Sequence, residues 1–245
     1  NSVPVGLLGL IIETAETHPN TAGNFFATMS ETIKTVLLTG GNHVVPWTNN
    51  SETTGPNRGR TTQPIDDMFG VGMANIDRSW QVMSGGQHAS NSSTNGLIPA
   101  PHAGWETTTI SDNQSKYILF DVASPADEVS VVLTWHQTVS NNFTSYTEVD
   151  LDLRLWGHDG SSLLDITGDA GVSIFSGGNV VSESSVDNVE HLYIENLASG
   201  EYVLEVNRSG SPGSSRVFSV GYCLHPTPCP EMSMEMVNSM LRTCS

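Results

Sequence analysis

Val149-Asp150-Leu151-Asp152-Leu153-Arg154-Leu155 alternates apolar and charged side chains, the period-two pattern of a strand with one face in a core and the other in a polar setting. Downstream, Val189-Glu190-His191-Leu192-Tyr193-Ile194 and Glu201-Tyr202-Val203-Leu204-Glu205-Val206 read as two further strands with Asn196 to Gly200 as the turn between them. That pair predicts a hairpin. Working outward, turn signals alternate with β-branched and aromatic runs at 106–110, 116–122, 128–136, 149–156, 172–175, 189–194, 202–206 and 216–222. Short strands with no helical pattern between them point to an antiparallel sandwich or jelly roll.

The N-terminal part has a different period. Pro4 to Ala15 is apolar on every face for about two turns, and a helix without a polar stripe must be surrounded by protein. It is expected to be a core helix. Thr28-Met-Ser-Glu31 has the form of a capping box opening a helix over 30–38, which Gly40-Gly41 stops. A third helix is expected over 76–83, ended by Gly85-Gly86. Residues 41–64 are rich in Asn, Thr, Gly and Pro and read as a surface loop. The resulting division is 1–90 helical, 91–104 linker, 105–223 sandwich and 224–245 a tail containing cysteine and methionine.

Nine basic against 26 acidic residues give a formal charge of −17, which argues against nucleic acid as a partner, because phosphate contacts need clustered Lys and Arg. No apolar run approaches the roughly 18 residues of a membrane span. Sequons at Asn49, Asn91, Asn113, Asn142 and Asn207, with abundant Ser and Thr and little Lys, suggest a secreted or extracellular protein. Cys223, Cys229 and Cys244 all fall near the C-terminus. Cys223 and Cys229 span a short Pro-rich loop that a disulfide could close, with Cys244 left over or exchanged in.

Three constellations are candidates for chemistry. Asp150 and Asp152, two apart on one strand, either bond neighbouring amides or help to hold calcium with Asp187 or Asp159. Trp135, Trp156 and Tyr193 are either core residues or a sugar-stacking platform. Glu13, His18 and Asp77 have no partner at a catalytic spacing, and no His/Cys spacing suggests zinc. The Met-rich stretch 231–242 reads as a short amphipathic helix.

The order of Val129-Ser-Val-Val-Leu-Thr-Trp135, Asp150-Leu-Asp-Leu153, Asp187-Asn-Val-Glu190, Gly200-Glu-Tyr-Val-Leu-Glu-Val206 and Phe218-Ser-Val220 resembles the β-sandwich domain that follows the catalytic domain in a branch of subtilisin-like serine peptidases. Upstream, residues 6–13 resemble the family's helix after the nucleophile, residues 32–38 its next helix, and residues 69–76 its closing Gly-x-Gly segment. The resemblance implies an α+β chain: the helical C-terminal piece of a subtilisin-like α/β catalytic domain, then an antiparallel, jelly-roll-like β-sandwich. It implies a secreted endopeptidase acting on protein or peptide substrates, with a sandwich that stabilises the catalytic domain or assists substrate access.

The family's Asp, His and Ser run in that order along the chain, and its Gly-Thr-Ser-x-Ala motif is not in this sequence. Ser2 lacks the flanking residues of a nucleophile and reads as a helix-start serine, and His18 lies too close in sequence to serve as its base. No catalytic residue is carried over, so the segment is expected to be inactive alone. The competing reading is a non-catalytic β-sandwich module that binds glycan or protein.

Overall fold

The computed structural model describes residues 3–225 apart from positions 140, 143, 145, 148, 211 and 212. Ser2, Cys229, Cys244 and the stretch 231–242 lie outside the described residues. Helices α1 (Val3–Thr17), α2 (Ser30–Thr39) and α3 (Ile76–Gly85) precede most of the strands, with a 3-10 turn at Phe25–Thr28. The strands are β1 (Arg60–Thr61), β2 (Ala103–Ile110), β3 (Gln114–Val122), β4 (Ala126–Trp135), β5 (Thr138–Val139), β6 (Tyr146–Thr147), β7 (Asp152–His158), β8 (Leu163–Leu164), β9 (Gly177–Gly178), β10 (Val181–Ser182), β11 (Val189–Leu197), β12 (Gly200–Arg208) and β13 (Arg216–His225).

Two sheets face each other. One runs β1-β10-β7-β12-β3 with β8 beside β7, and the other β2-β13-β4-β11-β9. Pairing is antiparallel except for β1 with β10. The expected β-sandwich is therefore present. Its core holds Phe120, Leu153, Leu155 and Leu204 from the first sheet against Val131, Leu133, Trp135, Phe218 and Tyr222 from the second. Alternation explains this: Leu153 and Leu155 point inward, and Asp152, Arg154, Trp156 and His158 are only half-buried on the other face.

The helices form a third layer over the second sheet. α2 lies on β13 and β4, and α3 on β2. Ile11, Val36, Val82, Met83 and Trp105 make a smaller core there. Buried hydroxyls tie the layers: Thr35 Oγ1 lies 2.7 Å from Thr134 Oγ1, and Thr32 Oγ1 lies 2.7 Å from Thr107 Oγ1. Thr107 donates in turn to Ser219 at 2.9 Å. Close approach requires glycine at 221, where a Cβ would stand 2.6 Å from Thr39 Oγ1.

Several expectations change. β11 and β12 do not pair with each other: β11 lies between β4 and β9, and β12 between β3 and β7. The Asn196–Gly200 connection crosses from one sheet to the other, because each strand finds its hydrogen-bond partners and its buried face in a different layer. Residues 172–175 form no strand and follow a 3-10 turn at Gly168–Gly171. The capping box does not form. Met29 is the N-cap of α2 with no side-chain bond, and Thr28 Oγ1 donates to Phe25 O instead. The third helix is capped as its sequence allows, with Asn75 accepting from Arg78 N.

α1 departs most from expectation. Ile11, Thr14 and Ala15 are buried, but Leu8, Leu10 and Ile12 are 38, 47 and 37% exposed. The other elements reach only one stripe of it. Instead of a core helix, it is an edge helix with an apolar outer side.

Trp105 joins the helical layer to the sandwich: it is fully buried in the smaller core and its Nε1 donates to Met83 O at 3.2 Å. Trp105→Ala is expected to lower the unfolding free energy by about 3–5 kcal/mol, measured by urea titration. A loss below about 1 kcal/mol would mean that the helical layer does not depend on this anchor.

Candidate functional site

The outer face of the β1-β10-β7-β12-β3 sheet carries a set of half-buried polar and aromatic groups. Residues opposite one another in register share a face. Tyr117 is opposite Glu205, Glu205 opposite Arg154, Arg154 opposite Val181, and Val181 opposite Arg60. Glu205 organises the centre. Its carboxylate accepts from Trp156 Nε1 at 2.7 Å, Ser115 Oγ at 2.6 Å and Tyr117 Oη at 3.2 Å. The Arg154 guanidinium lies 3.4 Å from the Trp156 ring centroid and pairs with Asp165 at 2.8 Å.

Beside β3, residues 87–100 run along the sheet edge, bridging Asn91 to Tyr117 and Pro99 to Leu119. Between this segment and the sheet lies a cleft of about 340 Å³ lined by Gln87, His88, Asn91, Leu97, Ile98 and Tyr117, among others. Tyr117 thus belongs to both features: it lines the cleft and its hydroxyl donates to Glu205. A second cleft, of about 240 Å³, opens at the β1 edge. Asn50, Glu52, Asn57, Arg60, Thr62 and Glu183 line it, and Arg60 pairs with Glu183 at 3.0 Å.

Of the four carboxylates considered for calcium, Asp159 closes its own turn, accepting from Ser161 N–H at 2.9 Å and Ser162 N–H at 2.8 Å. Burial, then the charges of Asp150, Glu183 and Glu205, push Asp152 up to about 6. Asp187 accepts from Ser184 Oγ at 2.8 Å. The fully buried acid next to this group is Glu190, which sequence reading placed on a strand without a role. It takes the Ser184 N–H at 2.8 Å and the Ser182 hydroxyl. Burial, with added repulsion from Asp152 and Asp150, pushes it up to about 9. Among the described residues, no group of three or more His, Cys, Asp or Glu side chains could hold a metal ion.

The suggested aromatic platform is divided. Trp135 is fully buried between the sheets, with Nε1 donating to Val149 O at 2.8 Å. Trp156 is on the outer face described above. Tyr193 lies beyond the second sheet, its ring 4.0 Å from that of His43 and 5.2 Å from that of Trp47. His191, fully buried, stacks on His43 there at 5.1 Å, and burial holds its pKa well below the usual value. Nearby, burial would raise Glu128, but the bonded Arg78 guanidinium and the adjacent His43 ring bring it down to about 2. Cys223 is buried in the smaller core. Sequence reasoning missed the Glu205 network because its members come from three strands, brought together only by register.

No family model matches the chain, and no curated protein does either. Among solved structures, the Yersinia pseudotuberculosis-derived mitogen is 16% identical with a TM-score of 0.32, over 54% of this chain and 92% of that one. A β-1,3-glucan binding CBM6 from Bacillus halodurans is 12% identical, TM-score 0.23, over 51 and 86%. A family 35 carbohydrate binding module from an environmental isolate is 10% identical, TM-score 0.25, over 59 and 90%. Likenesses at these scores do not bear on function.

The resemblance to subtilisin-like serine peptidases is corrected: neither a family model nor a curated protein of that family matches the chain. The helix assigned to the centre of a catalytic domain is half uncovered. The serine protease reading of residues 1–90 is therefore withdrawn, and the β-sandwich stands without it.

Glu190 gives this region a pH signature. Its folded pKa lies above the ordinary carboxylate value, so the folded state holds the proton more tightly, and stability falls as pH rises from about 4.5 toward about 9. Glu190→Gln keeps an acceptor for Ser184 N and carries no charge. It is expected to flatten that slope and to stabilise the protein by about 2 kcal/mol at pH 8, read by thermal melts across pH. A variant with the wild-type slope would remove Glu190 as its source.

Proposed function

We propose that this protein is a non-catalytic β-sandwich module that binds a glycan on the outer face of its first sheet, beside β3. The observation that carries the reading is the double use of Tyr117. It lines the cleft while its hydroxyl is held on Glu205, which also takes the Trp156 indole N–H. An aromatic side chain held in one orientation loses little entropy when a sugar ring packs on it. Asn91 stands beside it as a hydrogen-bonding group for hydroxyls, and Leu97 and Ile98 supply apolar contact.

The chain's setting fits a glycan ligand. No helix among the described residues is long and apolar enough to cross a membrane, and the Ser-, Thr- and Asn-rich composition suits an extracellular location. Of the sequons, Asn113 and Asn142 are exposed, whereas Asn49 is buried with its amide donating to Asn179 Oδ1 at 2.7 Å. Asn49 would therefore stay unmodified in the folded protein.

Glycan array screening followed by isothermal titration tests the proposal. At least one oligosaccharide should bind, and Tyr117→Ala should weaken it tenfold or more, with a melting temperature close to wild type as the control for folding. Binding that is indifferent to Tyr117 would move the site elsewhere, and silence across the array would defeat the reading.

A further inference from the structure

The outer face has an arrangement that neither cleft shows alone. Its register line runs, residue opposite residue, through Asn91, Tyr117, Glu205, Arg154, Val181 and Arg60. Asn91 and Tyr117 line one cleft and Arg60 lines the other, so the two clefts are the two ends of a single line perpendicular to the strands. Six residues make five interstrand spacings, about 24 Å at about 4.8 Å each. Between the ends lie the Trp156–Arg154 stack and the buried Val181.

The charged groups on this line already have partners. Glu183 is neutralised by Arg60 and Arg154 by Asp165, and the Glu205 carboxylate is occupied by three donors. What faces a newcomer at the two ends is mostly neutral: Asn50, Asn57 and Thr62 in one cleft, Asn91, Leu97 and Ile98 in the other. Asp152 and Glu52 make the surroundings acidic, which repels uronates and sulfated sugars.

Resting on the glycan reading above, we infer that the ligand is a linear, uncharged polysaccharide segment of about five sugar units, lying across the strands from one cleft to the other. The cleft at β1 is then a second subsite of the same groove. Binding energy accumulates along the line, so short fragments bind weakly.

Isothermal titration with neutral linear oligosaccharides, from disaccharide to heptasaccharide, tests this on the intact chain. Affinity is expected to rise at least tenfold from trisaccharide to pentasaccharide and then level off. The exposed pair Asn57→Ala with Thr62→Ala should weaken the pentasaccharide at least tenfold more than the trisaccharide. An affinity that levels off at the trisaccharide, or a double variant that affects both lengths equally, would overturn the long groove while leaving a glycan site at Tyr117. Preference for a uronate or sulfated chain of the same length would overturn the uncharged ligand. Failure of every length to bind would overturn both readings together.

Discussion

The structure depends on one sheet being covered on both faces. Strands β2, β13 and β4 have the opposing sheet on one side and the helices on the other, and β11 sets His191 and Tyr193 against His43 and Trp47, so neither face is free to be simply polar. Toward the sandwich they present Val131, Leu133, Trp135, Phe218 and Tyr222. Toward α2 they present Ser130, Thr134 and Ser219, each bonded to a hydroxyl or carbonyl, since a buried hydroxyl left unpaired costs about 1–3 kcal/mol. Gly221 lets α2 come close enough for those bonds to form. Short hydroxyl side chains do here what larger apolar ones do in the main core, and they hold the helix at a fixed distance.

This double coverage also explains what could be read in the sequence. Single-face strands such as β7 were legible because their alternation is clean: Leu153 and Leu155 inside, Arg154 and Trp156 outside. The existence of a sandwich followed from such runs. Strand partners did not, because β11 and β12 are neighbours in sequence with the same pattern and only the global arrangement sends them to different sheets. The first helix was misread for a related reason. A fully apolar sequence states what a helix can tolerate against it, not which elements will be there, and only Ile11, Thr14 and Ala15 found cover.

The candidate site was less legible than the fold. Asp152 and Trp156 attracted notice, but their partners Glu205, Tyr117 and Ser115 lie about 35 to 50 positions away along the chain or further, and look like ordinary strand residues. Aromatic residues grouped by type, Trp135, Trp156 and Tyr193, proved to occupy a core, an outer face and a histidine cluster respectively. Function here comes from which residues share a face, and period-two alternation gives the face without giving the neighbour.

The place of β13 has a consequence for how the molecule is made. It runs Arg216–His225 and sits between β2 and β4, so two strands translated early have no bridge between them until nearly all the described chain has left the ribosome. Until then the backbone edges of both strands are open to the wrong partner. A nascent chain of this topology benefits from slow release or from a chaperone that shields those edges, and a truncation a few residues before Arg216 would remove the middle of a sheet, not trim its end.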